Sequence, residues 1–454
     1  MCLRLDDLPI SILNDVLRDS KSTDKWSAKG WTWVLSLFSA GGIPTAIVTF
    51  VSLLVFVQCG CGCSLAALLY ALLFLPSVLK SLVRPLCLTG KECKRQILMT
   101  QLLLLSVHYL LIVSFPVTSS NVKVVFFLLL MLISASLCAW HELLSEHYYN
   151  NALTRYGRRA LRGVKVFASL AAQVLTYGLL IVIAGNFQWY FRYMDDTMSY
   201  SWAFVIGLVS VVMMICLLAN LKMPVEDGSC SDFVGNDRML FGMVEMKPKL
   251  RTVWSKRMPI AVCVLMLLPQ SLLFATRVFF LLSDKDEGGL GCSLMDVGFA
   301  QGTVGVIAFS FGIVLGHFVI KRYGWRRTFP PLSAVLGLSP LFYFLMAIGC
   351  VSDGFFAVCL MTFLSQFCFG VGVNSCRVLA EHISGKKYSS TVNVLNVPLV
   401  VLGMVLPIAL SGVLLSCMGY ERFFTLCVLM AIFPVVTSLS AFNRKTAVGR
   451  IVAE

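Results

Sequence analysis

Long apolar stretches, separated by short polar intervals, run through this sequence from about residue 31 to about residue 441. A helix needs about 20 apolar residues to cross the hydrocarbon layer of a membrane. Of the 454 residues, 58% are hydrophobic and 13% are charged, whereas soluble domains carry about 25% charged residues. We therefore predict an all-α membrane protein with about twelve spans. The predicted spans are 31–57, 64–83, 96–116, 123–146, 163–185, 200–220, 259–282, 294–320, 329–350, 354–379, 391–416 and 421–441.

The formal net charge of +14 is distributed in clusters between the apolar stretches. If the N-terminus lies in the cytoplasm, the basic clusters near 91–95, 155–162, 247–257 and 321–327 all fall on the inside. The outside loops then receive only Lys123, Arg192, Lys285 and Arg422. Because cytoplasmic loops carry an excess of Lys and Arg, we expect both termini in the cytoplasm. A charge distribution of this kind reports topology, so we expect no nucleic-acid partner.

The longest polar interval between spans falls near the middle of the chain and divides it into two sets of six helices. Repeated halves around a central cavity are a recurring plan of secondary transporters. The predicted organisation is a cytoplasmic segment 1–28, a six-helix bundle 29–220, a cytoplasmic linker 221–258, a second six-helix bundle 259–442 and a cytoplasmic tail 443–454.

Two carboxylates lie inside the fourth predicted span, or at its end. Glu142 and Glu146 are four residues apart, so they project from nearly the same face of a helix. Ionisable groups inside a membrane are costly and mark functional sites. We predict that this pair, with His141 beside it, binds and releases a proton. The alternative is that both glutamates lie at the wet end of the span, solvated or paired with Arg155 or Arg158.

Other polar side chains in the spans are candidates for binding a solute. Arg277 follows Gln270 by two turns in the seventh span, and its guanidinium could hold a carboxylate through two hydrogen bonds. The predicted substrate-binding set is Arg277, Gln270, Lys80, Gln173, Asn374, Arg377 and Asn393. Alternatives remain open: snorkelling of Arg277 and Lys80 to the interface, pairing of Arg377 with Glu381, and helix–helix hydrogen bonds for the amides.

Most of the 17 cysteines lie in apolar runs, where thiols act as small hydrophobic groups. The exception is Cys59-Gly60-Cys61-Gly62-Cys63 at a helix end, where a metal clip or a disulfide remains open. His141-Glu142 does not begin a zinc-binding His-Glu-x-x-His motif, because position 145 is Ser. We expect no cofactor and no enzyme activity.

The loop after the eighth span has a recognisable pattern. Gly316 is followed by Lys321-Arg322-Tyr323-Gly324-Trp325-Arg326-Arg327. This resembles the cytoplasmic loop signature of the major facilitator superfamily, although Lys321 stands near the place of its acidic residue. The resemblance implies the major facilitator fold. It also implies a gating loop made of Gly316, Arg322, Gly324, Arg326 and Arg327.

Within that superfamily, the sequence resembles the AmpG-like permeases, including their bacteroidete-type relatives, from about residue 35 to about residue 440. Where that family commonly has two aspartates four residues apart, this chain has Glu142 and Glu146, and its segment 374–377 does not follow the usual pattern. The motifs that carry the resemblance are Ser39-Ala40-Gly41-Gly42-Ile43-Pro44, Leu79-Lys80-Ser81-Leu82-Val83-Arg84-Pro85, His141-Glu142, Tyr148-Tyr149, Gly288-Gly289-Leu290-Gly291, Val297-Gly298, Gly302-Thr303-Val304-Gly305, Leu402-Gly403-Met404-Val405-Leu406-Pro407, Ser411-Gly412, Gly419-Tyr420 and Phe423-Phe424.

AmpG-like permeases of known function import anhydro-muropeptides from the periplasm, using the proton gradient. The resemblance implies a proton-coupled secondary transporter of the bacterial inner membrane, whose partners are a small solute, protons and the bilayer. We expect it to be monomeric. An exporter of another small solute remains open because the fold runs in either direction, as does a non-transporting sensor of transporter fold.

Overall fold

The computed structural model describes residues 30–80, 83–84, 90–117, 120–153, 155–224, 242–243, 257–384 and 401–441. The predicted segments 1–28 and 443–454, most of the linker 221–258, and Asn393 lie outside the described residues.

Twelve apolar helices make up nearly all of the described chain. In the N-terminal half they are α1 (Gly30–Gln58), α2 (Cys63–Leu79), α3 (Gly90–Val117), α4 (Ser120–Ala152), α5 (155–190) and α6 (Thr197–Asn220). In the C-terminal half they are α7 (Arg257–Leu282), α8 (Leu294–Tyr323), α9 (Trp325–Ala347), α10 (Phe355–Ser384), α11 (401–418) and α12 (420–441).

The number of spans agrees with the sequence prediction. Ten continuous helices in the described chain are long and apolar enough to cross a membrane. The last of these, Gly403–Ser440, is interrupted at Gly419, which has φ 74°. It therefore counts as two spans, α11 and α12. The shorter apolar helix α2 supplies the remaining span. The chain is therefore an all-α, multi-pass membrane protein.

Helix boundaries differ from the prediction where polar residues continue a helix beyond its apolar part. The predicted fourth span ends at residue 146, but α4 continues to Ala152 because Tyr148 and Tyr149 are buried against α1. The Trp33 and Tyr148 rings meet edge to face at 5.6 Å, as do those of Phe38 and Tyr149. Tyrosine packing thus extends α4 past the hydrocarbon layer.

A short strand pair follows α2. Strand β1 (Val83–Arg84) pairs antiparallel with strand β2 (Gly242–Met243), with Val83 opposite Met243. The predicted second span ran to residue 83, whereas α2 ends at Leu79. The backbone pairing ties the turn after α2 to the predicted linker between the halves.

A large hydrophobic core runs through both halves and includes buried side chains from α1, α6, α7 and α12, such as Phe56, Trp202, Phe279 and Phe423. Large apolar side chains also cover the outer surface. Phe311 is 65% exposed. Exposed side chains of this kind on membrane-length helices face lipid.

The halves meet along two helix pairs, α2 with α11 and α5 with α8. In both pairs glycines lie at the crossing. A Cβ atom on Gly302 of α8 would overlap the carbonyl group of Tyr177 in α5, and one on Gly412 of α11 would overlap the carbonyl of Cys63 in α2. Both helices of the α5–α8 pair have a π-helical segment here, Val174–Leu180 and Gly298–Gly305. We call this side of the molecule, which includes the loops 59–62, 191–196 and 283–293, the closed end.

Candidate functional site

A cavity of about 460 Å³ lies between the two halves and reaches Tyr177, at the crossing of α5 and α8. Its N-half walls come from α1, α4 and α5, and its C-half wall comes from α8. The side containing the end of α4 and the start of α5 is called the cavity end below. The lining residues include Phe38, Gly41, Thr45, His141, Glu142, Ser145, Glu146, Lys165, Ser169, Gln173, Tyr177, Phe309, Ser310 and Ile313.

Both predicted glutamates line this cavity, and each is paired with a lysine from a neighbouring helix. Lys80, at the end of α2, donates to Glu142, and Lys165 of α5 donates to Glu146. The glutamate side chains are 54% and 42% exposed. The predicted desolvated carboxyl pair is therefore replaced by two separate ion pairs. The exposure of both carboxylates agrees with the solvated part of the alternative. Arg158 donates instead to the Leu153 carbonyl at 3.1 Å, and the Arg155 side chain lies outside the described residues.

Lys165 was not among the residues chosen from the sequence. It lies two residues inside the predicted fifth span, just after the basic cluster 155–162. In the structure its Nζ atom is 4.8 Å from the centre of the Phe38 ring and 5.1 Å from that of the Tyr149 ring. A sequence signal was present, since a lysine inside a span is costly unless it has a partner.

His141 is fully buried in a directed chain of hydrogen bonds. Ser36 donates to Asn220 at 2.5 Å, and Asn220 donates to the Gln101 carbonyl oxygen at 3.3 Å. The Gln101 amide nitrogen, which can only donate, is 3.0 Å from His141 Nε2. The ring proton is therefore on Nδ1, which is 3.3 Å from the Ser145 hydroxyl. This chain fixes a neutral imidazole in the cavity wall.

Gly41 of α1 is required by this packing. A Cβ atom there would lie 2.7 Å from His141 Nδ1. The glycine motif in the first span thus lets the imidazole approach the α1 backbone.

Beyond Gln173, which lies in the cavity wall, a group of phenols extends toward the centre of the molecule. The hydroxyl oxygens of Tyr177 and Thr49 are 2.5 Å apart, and the Tyr70 hydroxyl donates to the Thr49 carbonyl. The Tyr70 ring stacks with Phe274 of α7 at 6.2 Å. Tyr177 lines the cavity, and its contacts continue outside the lining through Thr49 and Tyr70 to Phe274 of α7.

Arg277 and Gln270 of α7 both carry unpaired polar atoms. Gln270 is 5% exposed, and its Nε2 atom has no hydrogen-bond partner among the described residues. The buried Nε of Arg277 also lacks one there. The Arg277 guanidinium carbon is 4.9 Å from the centre of the Phe274 ring, and its charge acts on the Tyr70 and Tyr177 phenols. Neither Arg277 nor Gln270 is among the residues that line the cavity, so their role in binding a solute stays a prediction.

Three polar residues of the second half, two of them the predicted ligands Asn374 and Arg377, lie outside the cavity lining. The Asn374 amide donates to the Gly370 carbonyl at 2.9 Å and to the Ile313 carbonyl at 3.3 Å, which joins α10 to α8. Arg377 is exposed on α10. Gln301, a further amide in the eighth span, is buried and donates to the Tyr343 hydroxyl at 2.7 Å. The two amides therefore serve helix packing, the alternative that the sequence left open.

The predicted gating loop lies at the end of α8 and the start of α9. A Cβ atom on Gly316 would lie 2.8 Å from the Val371 carbonyl, so this glycine permits close packing of α8 on α10. Gly324 has φ 80° and ends α8. The cations Arg322, Arg326 and Arg327 are exposed.

The cysteines of the loop between α1 and α2 lie at the closed end as free thiols. No group of metal-binding side chains occurs in the described ranges. Burial, together with the charge of Cys61, raises the pKa of the Cys59 thiol to about 11, so that thiol is protonated at neutral pH. A thiolate metal clip at Cys59 is therefore disfavoured.

No protein-family profile matches this sequence, and no curated protein matches it. The resemblance to AmpG-like permeases therefore remains a prediction. Solved structures do match in shape. The nucleoside transporter NupG matches with a TM-score of 0.64 at 13% identity, over 91% of this chain and 99% of that one.

Two further transporters give similar values. A bacterial homologue of the human lysosomal transporter Spinster, in an inward-facing conformation, has a TM-score of 0.64 at 12% identity, over 94% of this chain and 98% of that one. The inward-open xylose transporter XylE from E. coli has a TM-score of 0.60 at 13% identity, over 89% and 94%. Identities this low show the fold alone. The chain has the major facilitator fold, as the sequence predicted.

Proposed function

We propose that this protein is a secondary transporter that moves a small solute across the membrane by alternating access, coupled to protons. The observation that carries the proposal is the cavity between the halves, which has ionisable groups in its wall and lies opposite a closed end. A site that is open on one side and sealed on the other is one of the two states that alternating access requires.

The similar structures support the same class of function. Besides a nucleoside transporter and a xylose transporter, they include a D-xylose–proton symporter and a peptide transporter. Each was solved as a protein that moves a small polar solute, and the shared fold makes the same class the first expectation here.

Proton coupling is assigned to Glu142 and Glu146. Each carboxylate faces the cavity and is neutralised by one lysine, so proton uptake would free that lysine and change the charge of the cavity wall. His141 acts beside them as the neutral hydrogen-bonding group that the Gln101 contact fixes. The proton-dependent change is thereby concentrated on α4.

The solute is assigned as an anhydro-muropeptide or a related sugar–peptide or organic anion, imported across the bacterial inner membrane. Gln173 offers an amide in the cavity wall. Arg277 and Gln270 lie on α7, outside the cavity lining, and their side chains have polar atoms without a partner among the described residues. Sugars and peptides match such donors and aromatic faces. With the cavity end in the cytoplasm, as the basic loops predict, the structure corresponds to the inward-open state.

The test is uptake of labelled anhydro-muropeptide into proteoliposomes, with and without an inward proton gradient. We expect gradient-driven uptake by the wild type and a loss of at least about tenfold in Glu142→Gln. Glu287→Gln, in an exposed loop at the closed end, is the matched control and should transport normally. If wild-type protein with a normal melting temperature takes up no muropeptide, the solute assignment is wrong and the fold assignment is unaffected.

A further inference from the structure

Lys165 is the one cation among the described residues that line the cavity. The walls from α1 and α8 contribute uncharged side chains, whereas α4 contributes Glu142 and Glu146. Its side chain is 26% exposed, so its ammonium group is partly withdrawn from water. A cation in this position is the electrostatic feature of the cavity that an anionic solute would meet.

Two aromatic rings and one carboxylate hold this ammonium group. Phe38 and Tyr149 lie within about 5 Å of the Nζ atom and attract it through their ring faces. Glu146 is its hydrogen-bond acceptor among the described residues. A lysine ammonium group has three N–H donors. An aromatic ring accepts an N–H donor more weakly than an oxygen atom does. The site can therefore accept a second carboxylate, or exchange the first for it.

We propose that Lys165 binds a carboxylate of the solute in place of Glu146, and that a proton taken up by Glu146 is what releases the lysine. The proton goes onto a Glu146 carboxylate oxygen, the Lys165–Glu146 hydrogen bond breaks, and a new one forms from Lys165 to the solute. One proton and one negative charge enter together, so the charge of the site is unchanged. This inference rests on the proposed transport function and specifies its solute class as a carboxylate-bearing anion.

The other ionisable groups near the Lys165–Glu146 ion pair come mainly from α4 and α5. From α4, Glu142 is held by Lys80, His141 is fixed as a neutral ring, and the Tyr149 hydroxyl donates to the Arg158 carbonyl at 2.9 Å. From α5, Tyr177 lies deeper and bonds Thr49. The charges of Arg158 and Arg162 reach the Tyr149 phenol from the start of α5. Glu146 is thus the acceptor whose protonation directly changes the partner of Lys165.

The test uses two probes that differ by one carboxyl group. N-acetylmuramic acid carries a lactyl carboxylate on the sugar, and N-acetylglucosamine lacks it. Binding of each to the full-length protein in nanodiscs is measured between about pH 5 and about pH 8. Because each anion brings one proton, affinity for N-acetylmuramic acid should rise by up to about tenfold per pH unit as pH falls. N-acetylglucosamine should bind more weakly, with no pH dependence.

The variants separate the roles of the two residues. Lys165→Gln should lose at least about tenfold in affinity for N-acetylmuramic acid and keep that for N-acetylglucosamine, since a charge-assisted contact is lost. Lys165→Arg should restore much of the anion affinity. Glu146→Gln should bind the anion as tightly at high pH as the wild type does at low pH. Lys285→Gln, at an exposed loop ion pair, is the matched control.

Several results would overturn this assignment. They are an absence of N-acetylmuramic acid binding by folded wild type, unchanged anion affinity in Lys165→Gln, or a pH dependence that persists in Glu146→Gln. A failure of the proposed transport function would give a different set of results from a failure of the anion site. If Lys165→Gln loses anion binding while wild-type uptake needs no gradient, the anion site stands and proton coupling fails. If uptake is coupled but Lys165→Gln keeps its anion preference, the transporter stands and this inference fails.

Discussion

The closed end and the cavity end are built from different chemistry. At the closed end, α5 and α8 cross through glycines, and Gly302 lies against the backbone of Tyr177. At the cavity end, the same α5 presents Lys165 to Glu146 across a partly exposed space. One helix therefore carries a charged contact at Lys165, near its start, and a close backbone contact at Tyr177, about three turns further along.

This difference indicates how the halves can separate. The ion pairs Lys80–Glu142 and Lys165–Glu146 each lie within the N-terminal half, so parting the halves does not separate their charges. Contact between the halves at the closed end depends on backbone proximity instead. We therefore expect changes at the closed end to affect stability, and changes at the cavity end to affect activity and its pH dependence.

The largest expected effect on stability is at the closed end. In Gly302→Ala, the new Cβ atom would overlap the Tyr177 carbonyl, so α5 and α8 must move apart, at a cost of about 1–3 kcal/mol. The matched control is Gly207→Ala in α6, where nothing lies within 4 Å of the new atom. Gly207→Ala should stabilise the protein slightly, by up to about 1 kcal/mol, because alanine has a higher helix propensity than glycine. Thermal melting in nanodiscs measures the stability of both variants. Equal melting temperatures for Gly302→Ala and Gly207→Ala would contradict the expected sensitivity of the closed end.

A smaller effect on stability is expected at the cavity end. Gly41→Ala would place a methyl group 2.7 Å from His141 Nδ1 and turn the ring from Ser145. We expect a loss of about 1 kcal/mol, together with slower gradient-driven uptake. Gly163→Ala, with open space around it, is the control. Normal uptake by Gly41→Ala would show that the orientation of His141 does not matter.

The smallest effect is expected in an exposed loop of the second half. A hydrogen bond from Lys285 lowers the pKa of Asp353, and the same bond raises the pKa of Lys285. The contribution of Asp353 is therefore present above the ordinary aspartate pKa and is lost as pH falls through its lowered value. That of Lys285 is lost only as pH rises through its raised value. Asp353→Asn should lower the melting temperature slightly near neutral pH and not at all in strong acid, whereas Asp286→Asn should have no effect.

The sequence predicted the fold well because the length of each apolar stretch is a local property. The residues that it selected for two different roles include Glu142, Glu146, His141 and Gln173, and all four line the same cavity. It could not predict their partners. Lys80 and Lys165 reach the glutamates from other helices, and such contacts depend on how those helices pack.

Packing also explains the amides that serve helix contacts. Asn374 looks like a ligand in the sequence, yet the carbonyls of Ile313 and Gly370 take its donors once α8 and α10 are adjacent. Arg277 shows the opposite outcome, because its partner-free Nε becomes visible only when its surroundings are known.

The most direct test of proton-coupled solute transport is solute-driven proton movement. Proteoliposomes containing a pH-sensitive dye start with no gradient, and anhydro-muropeptide is added outside. We predict that the lumen acidifies with wild type and with Glu287→Gln, and that it does not with the double variant Glu142→Gln/Glu146→Gln. Muropeptide entering without acidification, or acidification that the double variant leaves unchanged, would contradict the assignment of coupling to the cavity carboxylates.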